Sequence, residues 1–378
     1  MERLAARPGL RRAPSLDEAF NPRRNSLNAL RLIFAATVIV SHAWPIGGFG
    51  PDPMLGDLNL GQWALAGFFI ISGYLITASR SNNRFGVYLW RRCLRIFPAL
   101  WICLLVTVVV FVSIALEREG AGAGSELGAR VSYFVTNAVL VPDHLGVVST
   151  PNDVPLASQW NDSLWTLFYE FACYLGVGVA LTVALLRRKS SAFLITFAIF
   201  AALNLIEIEI WQFPWFKVAS IIKLGAYFVA GALIYVYRRH LPLSGWLAGL
   251  SAALLTGGVL VGHVSAFAAL PLAYLCLWLA VRLPLSRVGS KNDISYGMYI
   301  YAFPLAQILV LFGAQKAGVG WFILFCIALT LPFAWASWIL VERPALALKR
   351  TDPRGLLQTA FSRLTRRRAA PTGPDAAE

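Results

Sequence analysis

Apolar runs of about membrane length recur from residue 27 to residue 341, and no other feature narrows the fold more. A helix needs roughly 17–25 mostly apolar residues to cross the hydrocarbon core of a bilayer. In that core the backbone must satisfy its own hydrogen bonds, so only helices and closed barrels span it. Ten such runs fall at roughly 27–46, 61–79, 94–115, 164–186, 191–209, 219–237, 243–262, 265–282, 294–314 and 320–341. Composition agrees: 58% of residues are hydrophobic and only 14% charged, against about 25% charged in ordinary soluble domains. The expected fold class is therefore all-α, a polytopic membrane helix bundle of about ten transmembrane helices.

The basic residues give the bundle a direction. With the N-terminus cytoplasmic, 26 of the 33 Lys and Arg fall in inner segments, while most acids from Asp52 to Glu209 fall outside. The inner segments are the N-terminal tail, Arg80 to Arg95, "RRK" at 187–189, "RR" at 238–239, Arg282 to Lys291, and the tail from Lys349. This positive-inside sorting predicts both termini in the cytoplasm. The predicted organisation is a basic cytoplasmic tail at 1–26, a membrane domain at 27–345, and a second basic, disordered tail at 346–378. The first 26 residues carry six Arg and no apolar core, so they do not read as a signal peptide. A net charge of +14 raises the possibility of nucleic acid, but charges that follow loop parity point to membrane lipids instead. The long outer segment 116–163 holds one short apolar run, "VSYFVTNAVLVP", expected to be a re-entrant or interfacial helix. Cys93, Cys103, Cys173, Cys276 and Cys326 lie in or beside apolar runs with no CxxC spacing, so they read as packing residues, with no metal site expected.

Ionisable groups inside spans are costly and mark candidate functional sites. Arg31 sits near the inner end of the first span, and His42 is ~16 Å further out at the α-helical rise. Glu170, in "SLWTLFYEFACYL", falls ~10 Å in from the outer face on the same rise. His42 and Glu170 are thus expected at similar depth, as a base and its orienting carboxylate. A second set collects in the inner half: Arg91, Arg92 and Arg95 in "YLWRRCLRIFP", Ser72 in "FFIISGYLIT", Ser295 and Tyr296, and Glu342 with Arg343. Arginines at an inner mouth suit phosphate groups, which the guanidinium fork binds bidentately. Structural readings stand beside these. The arginines also serve as headgroup anchors, His42 as a helix-packing donor, Glu170 as a partner of some polar neighbour, and "SGY" as a packing contact. Glu342 fits an ion pair with Arg31 or Arg343. His144 and His263 fall in outer loops and His240 in an inner one; none is preferred as a base. Trp44, Trp63, Trp160 and Trp165 fit an interfacial belt or a sugar-stacking surface.

Taken in order, six segments resemble the integral-membrane O-acyltransferases of acyltransferase family three. They are "LNALRLIFAATVIVSHA", "FFIISGYLIT", "YLWRRCLRIFPALW", "WNDSLWTLFYEFACYL", "ISYGMYIYAFPL" and "VERPA". The resemblance covers about residues 27–345. It implies that His42 is the catalytic histidine, that Arg91, Arg92 and Arg95 bind acyl-CoA, and that Arg31 and Glu170 are the first-helix arginine and the acidic residue of the Trp-containing motif. Many members carry a histidine two residues before the late-helix proline, where this chain has Ala302.

The function implied is transfer of an acyl group, acetyl by default, from cytoplasmic acyl-CoA to a hydroxyl of a surface polysaccharide or lipid-linked glycan. No permanently bound cofactor is expected, acyl-CoA being a donor substrate. Arg31, Arg91, Arg92, Arg95, Ser72 and Tyr296 are the candidate donor-binding residues, and His42 and Glu170 the candidate catalytic ones. The implied location is the bacterial inner membrane. The alternative is a transporter or flippase for an anionic or glycan substrate, using the same arginines and a His–Glu proton relay. Two halves with matching broken helices would support it, and the sequence has none.

Overall fold

The computed structural model describes residues 13–120, 126–141, 146–147, 150–183, 190–207 and 216–350. Residues 1–12, the "RRK" at 187–189, His144, Glu209 and the C-terminal tail from 351 lie outside the described residues. Every expected span has a helix. After a one-turn helix, α1 (Leu16–Ala19), come α2 (Leu27–Gly47), α3 (Leu60–Ser81) and α4 (Phe85–Val106). A π turn at Thr107–Phe111 joins α4 to α5 (Val112–Arg118), giving one continuous helix over Phe85–Arg118. Then follow α6 (Leu127–Ala138), α7 (Trp165–Ala180), α8 (Ser190–Ile206), α9 (Phe216–Tyr237), α10 (Gly245–Val261), α11 (Val264–Phe267), α12 (Ala269–Arg282) and α13 (Ser295–Leu311). The last are α14 (Val319–Ser337), a π turn at Trp338–Glu342, and α15 (Arg343–Ala347). The only sheet among the described residues is a two-residue ladder, β1 (Met54–Leu55) with β2 (Leu58–Asn59).

Six helical stretches are long and apolar enough to cross a membrane: 27–47, 60–81, 85–118, 162–180, 217–237 and 319–347. Helices α8, α10, α12 and α13 are apolar but shorter. The eighth expected span, 265–282, is divided between α11 and α12. The third begins nine residues before its expected start, which puts Arg91, Arg92 and Arg95 on the helix itself rather than at its mouth. Large apolar side chains such as Leu260, Leu340 and Trp246 face outward, as a lipid-facing surface requires. The "VSYFVTNAV" run forms α6, of 12 residues, pinned to α4 by the Trp101 indole donating to the Ala138 carbonyl at 3.0 Å.

Helix α13 is the hub. Nearly all of its side chains are buried, as expected for a helix that is apolar all round. Pro304 has no N–H, which leaves the Ile300 carbonyl without its intrahelical donor. Asn161 Nδ2, at 2.7 Å, and the Cys103 thiol, at 3.3 Å, supply the missing hydrogen bonds. Proline thus turns a backbone deficit into a junction between α4, α13 and the start of α7. A second junction joins α3 and α9. A Cβ on Gly73 would lie 1.9 Å from the Phe228 carbonyl oxygen, and one on Gly231 2.0 Å from that of Ile70. Only glycine allows this approach, and close backbone packing is what holds helices together where lipid is as apolar as leucine. The packing reading of "SGY" accounts for Gly73.

Residues 13–26 are not loose chain. Leu16 is buried, its N–H bonds the Leu241 carbonyl at 2.8 Å, and Asp17 pairs with Arg238 at 2.6 Å and with Arg239 at 3.3 Å. The short segment closes over the ends of α3 and α9, with Phe20 edge-on to Tyr74.

Candidate functional site

The polar residues gather at two ends of the bundle. At one end, α2 ends on Gly48 in the left-handed conformation, and the Gly/Pro-rich chain beyond it brings Asp52 back over the helix. The Asp52 carboxylate accepts from Ser41 Oγ at 2.5 Å and lies 3.5 Å from His42 Nδ1. Ser41 in turn accepts from the Gly61 N–H at 3.0 Å, tying the start of α3 to the pair. Burial raises the Asp52 carboxyl, but the bonds to His42 and Ser41 outweigh it and hold the group below the usual carboxylate range. The His42 ring packs edge-on against Phe303 of α13. His42 and Asp52 line a cavity of about 440 Å³ with Asn59, Gln62, Asp162, Trp165, Thr166 and Tyr299. Thr166 and Tyr299 share a 2.5 Å hydrogen bond, and the Tyr299 hydroxyl also donates to the Ser163 carbonyl. Among the described residues His42 is the one histidine on this cavity.

Glu170 is not its partner. The Glu170 carboxylate accepts from Ser72 Oγ at 2.8 Å and from Tyr174 OH at 2.5 Å. It lies five residues beyond Trp165, roughly 7.5 Å along α7, and faces α3. The carboxylate beside His42 is Asp52, ten residues on in sequence. Its signal was weak: an acid in the "GGFGPDP" turn, where only the folded loop decides what it meets. Among the tryptophans, Trp165 lines the cavity and Trp63 bonds the Leu55 carbonyl. Trp160 is 0% exposed and donates to Thr150 Oγ1, so it belongs to the core and to neither expected surface.

At the other end, one carboxylate organises the arginines. Asp293 Oδ2 accepts from Arg31 Nη1 at 2.7 Å and from Arg95 Nη2 at 2.6 Å. Its Oδ1 accepts from Ser295 Oγ at 2.6 Å, at the start of α13. Burial works against this charge, but Arg31 and Arg95 hold the carboxyl far below its usual range. The second Arg95 contact is Glu342, at 3.3 Å. The π turn at the end of α14 places Glu342 there, with Ser337 donating to it at 3.2 Å. Such bulges commonly re-aim side chains at functional sites. The expected pairing of Glu342 with Arg31 or Arg343 is therefore replaced by one with Arg95. Tyr296 OH donates to the Ile96 carbonyl at 2.9 Å, and its ring lies under the Arg95 guanidinium.

Arg91 and Arg92 are situated differently. Arg91 donates to Asn83 Oδ1 at 2.8 Å. Arg92 has no hydrogen-bond acceptor among the described residues, and the Nε atoms of both arginines are buried without partners. The Trp90 indole donates to the Leu348 carbonyl, which sets Lys349 against the same group. Burial, then Arg95, Arg92 and Arg91, push the Lys349 ammonium down to about 8. A cation suppressed by neighbouring cations marks a place that favours an anion.

The family's sequence model, described as an acyltransferase domain, matches residues 24–340. The chain belongs to acyltransferase family three. It is an integral membrane O-acyltransferase, and the transport alternative gives way to an enzyme. A protein named nodulation protein 10, from Rhizobium leguminosarum bv. viciae, is 28% identical over 355 residues, covering 86% of this chain and 94% of that protein. A protein named O-acetyl transferase, from Shigella phage Sf6, is 28% identical over 355 residues, covering 87% and 98%. No solved structure matches. The six motifs of this O-acyltransferase occupy the two ends just described and the wall between them. Arg31 and Arg95 meet on Asp293, Ser72 meets Glu170, and His42 stands apart from both sets.

Proposed function

We propose that this O-acyltransferase takes an acyl group, acetyl in the first instance, from cytoplasmic acyl-CoA and transfers it to a hydroxyl of a surface polysaccharide or lipid-linked glycan. The observation that carries this reading is the separation of two unlike sites. A half-buried group of cations with no carboxylate partner among the described residues, Arg91, Arg92 and Lys349, stands at one end, and a His42–Asp52 pair on an open cavity at the other. The cation group suits the phosphates of CoA. The pantetheine arm would run between the helices past Tyr296, Ser72 and Glu170, and its thioester would end at His42. There His42 Nε2 takes the proton of the acceptor hydroxyl, whose oxygen attacks the thioester carbonyl. The C–S bond breaks, and the CoA thiolate takes the proton back from the imidazolium. Asp52, on Nδ1, orients the ring and stabilises its charged form. A covalent acyl-His42 route uses the same groups and is distinguished by trapping the acylated residue. Acetyl is favoured because it is the group in the name of the phage relative. Among the described residues the cavity carries two carboxylates, Asp52 and Asp162, and no lysine or arginine, which suits a neutral sugar hydroxyl.

The test is transfer itself. Purified protein in detergent is expected to hydrolyse or transfer from acetyl-CoA, and surface glycans of a deletion strain are expected to lose an acyl group that the complemented strain regains by mass spectrometry. Intact glycan acylation in the deletion strain would sink the acceptor reading.

The same reading places the arginine end in the cytoplasm of a bacterial inner membrane, in keeping with the sorting of basic residues. In a variant lacking the five native cysteines, a cysteine at Asn82 or Asn83 is expected to resist membrane-impermeant maleimide added to intact cells. One at Asp52 is expected to react. Reversed labelling would move the arginines away from cytoplasmic acyl-CoA and end the threading mechanism.

A further inference from the structure

A second polar cavity, of about 590 Å³, opens beside the Arg31–Asp293–Arg95 ion pair, within the roughly 300–1,000 Å³ of ordinary ligand sites. Its wall is the 287–295 segment, held against the start of α2. Asn28 Nδ2 donates to the Gly289 carbonyl at 2.9 Å. Gly289 has φ +68°, and a Cβ there would come within 3.0 Å of Asn28 Cβ, so the turn is built for glycine. The cavity is lined by Arg287 and Lys291, with Ser290 and Asn292 as further polar groups. Neither cation pairs with a carboxylate among the described residues. The one carboxylate lining the cavity among the described residues, Asp293, is already shared by two arginines. Trp335, half-exposed, adds a flat aromatic wall, and the Trp338 indole donates to Asn292 Oδ1 at 3.0 Å, bracing the loop.

We infer that this cavity is a phosphomonoester-and-purine pocket that takes the 3′-phosphoadenosine end of CoA, with Arg287 and Lys291 on the 3′-phosphate and Trp335 against the base. The inference rests on the acyl-CoA donor reading. Under it, CoA divides its charge between two places. Its 5′-diphosphate goes to Arg91, Arg92 and Lys349, and its 3′-phosphate to the 287–291 turn. The Arg31–Asp293–Arg95 pair stands between them. Arg95 reaches Asp293 from the same helix that carries Arg91 and Arg92 one turn earlier, so the two places are near neighbours. Asp293 and Glu342 together balance Arg31 and Arg95, so Arg287 and Lys291 leave the cavity with a positive balance. A phosphate group of either source, nucleotide or lipid headgroup, fits this chemistry, and the nucleotide is favoured by the purine-sized wall and by that adjacency.

The experiment compares CoA with 3′-dephospho-CoA on the purified full-length protein, with equilibrium binding as the readout. Wild-type protein is expected to bind CoA more tightly by roughly tenfold or more, the scale of charge-assisted contacts to phosphate. In the Arg287→Gln/Lys291→Gln double variant, CoA binding is expected to fall to the level of dephospho-CoA. Dephospho-CoA binding and the unfolding midpoint are expected to stay unchanged, because both side chains are exposed. A variant that weakens both ligands equally, or keeps the wild-type preference, overturns the pocket. If the variant keeps that preference but loses stabilisation by added phosphatidylglycerol, the turn reads lipid headgroups and the nucleotide assignment is wrong. Wild-type protein that binds CoA and dephospho-CoA alike also overturns the pocket while leaving the donor reading intact. Wild-type protein that binds neither defeats the donor reading itself.

Discussion

Replacing His42 with alanine is expected to abolish acyl transfer while leaving the protein folded. A positioned general base contributes about 10²–10⁴ in rate, and without His42 no imidazole among the described residues lines the cavity to take the acceptor hydroxyl's proton. The fold should tolerate the change, because the imidazole borders an open cavity and its polar partner, Asp52, keeps the Ser41 hydrogen bond. Asp52→Asn is expected to give a smaller loss, since the amide still reaches Ser41 but no longer favours the charged imidazole. Because the Asp52 carboxyl is held below its usual range, it stays ionised as pH falls toward that range. A loss of rate between neutral pH and about 5 is therefore not expected to arise from Asp52. Transfer rates and unfolding midpoints measured together on both variants decide the matter. Near-wild-type transfer by His42→Ala would remove the residue from the mechanism.

Arg92 and Arg95, one helical turn apart, are expected to respond in opposite ways. Arg95 is the bridge between Asp293 and Glu342, which are 15% and 2% exposed. Arg95→Met would leave two buried carboxylates short of a partner. Breaking a buried pair in this way typically costs about 3–5 kcal/mol, so the variant is expected to lose much of its stability. Arg92 is half-buried, with its Nε enclosed and no acceptor among the described residues, so its charge is a cost to the fold. Arg92→Met is expected to leave the unfolding midpoint unchanged or raised, and yet to weaken CoA binding about tenfold or more through loss of a charge-assisted contact worth about 1.5–3 kcal/mol. Lysine at 92 should restore only part of the binding, because the bidentate fork is gone. Thermal unfolding with and without CoA separates the two effects. Equal destabilisation by both substitutions, with CoA binding intact, would make Arg92 a structural residue like its neighbour.

These two expectations depend on different parts of the molecule, and the sequence reaches them unequally. Length and hydropathy determine the helices by themselves, since each crossing helix must satisfy its own backbone and shows this as an unbroken apolar run. The order of the six motifs determines the family, and charge sorting proposes the direction. Helix rise also sets spacing along the helix, which puts His42 eleven residues from Arg31, itself joined to Arg95 through Asp293. Spacing does not set azimuth. Whether Glu170 faces His42 or Ser72 depends on the rotation of α7 against α2 and α3, which packing around the buried α13 decides. Partners supplied by loops were equally hidden. Asp52 reaches His42 because the chain turns back after Gly48, and Asp293 reaches Arg31 and Arg95 because the 287–295 segment folds across the ends of two helices distant in sequence. A π turn of one extra residue gave Glu342 to Arg95 instead of Arg31 or Arg343. Sequence alone marked His42, Arg31, Arg91, Arg92 and Arg95 as candidates for the chemistry, without Asp52 or Asp293. Tertiary structure decided which of them are neutralised and which remain available, because pairing of charges in a low-dielectric interior depends on contacts of a few ångströms between segments that no local pattern relates.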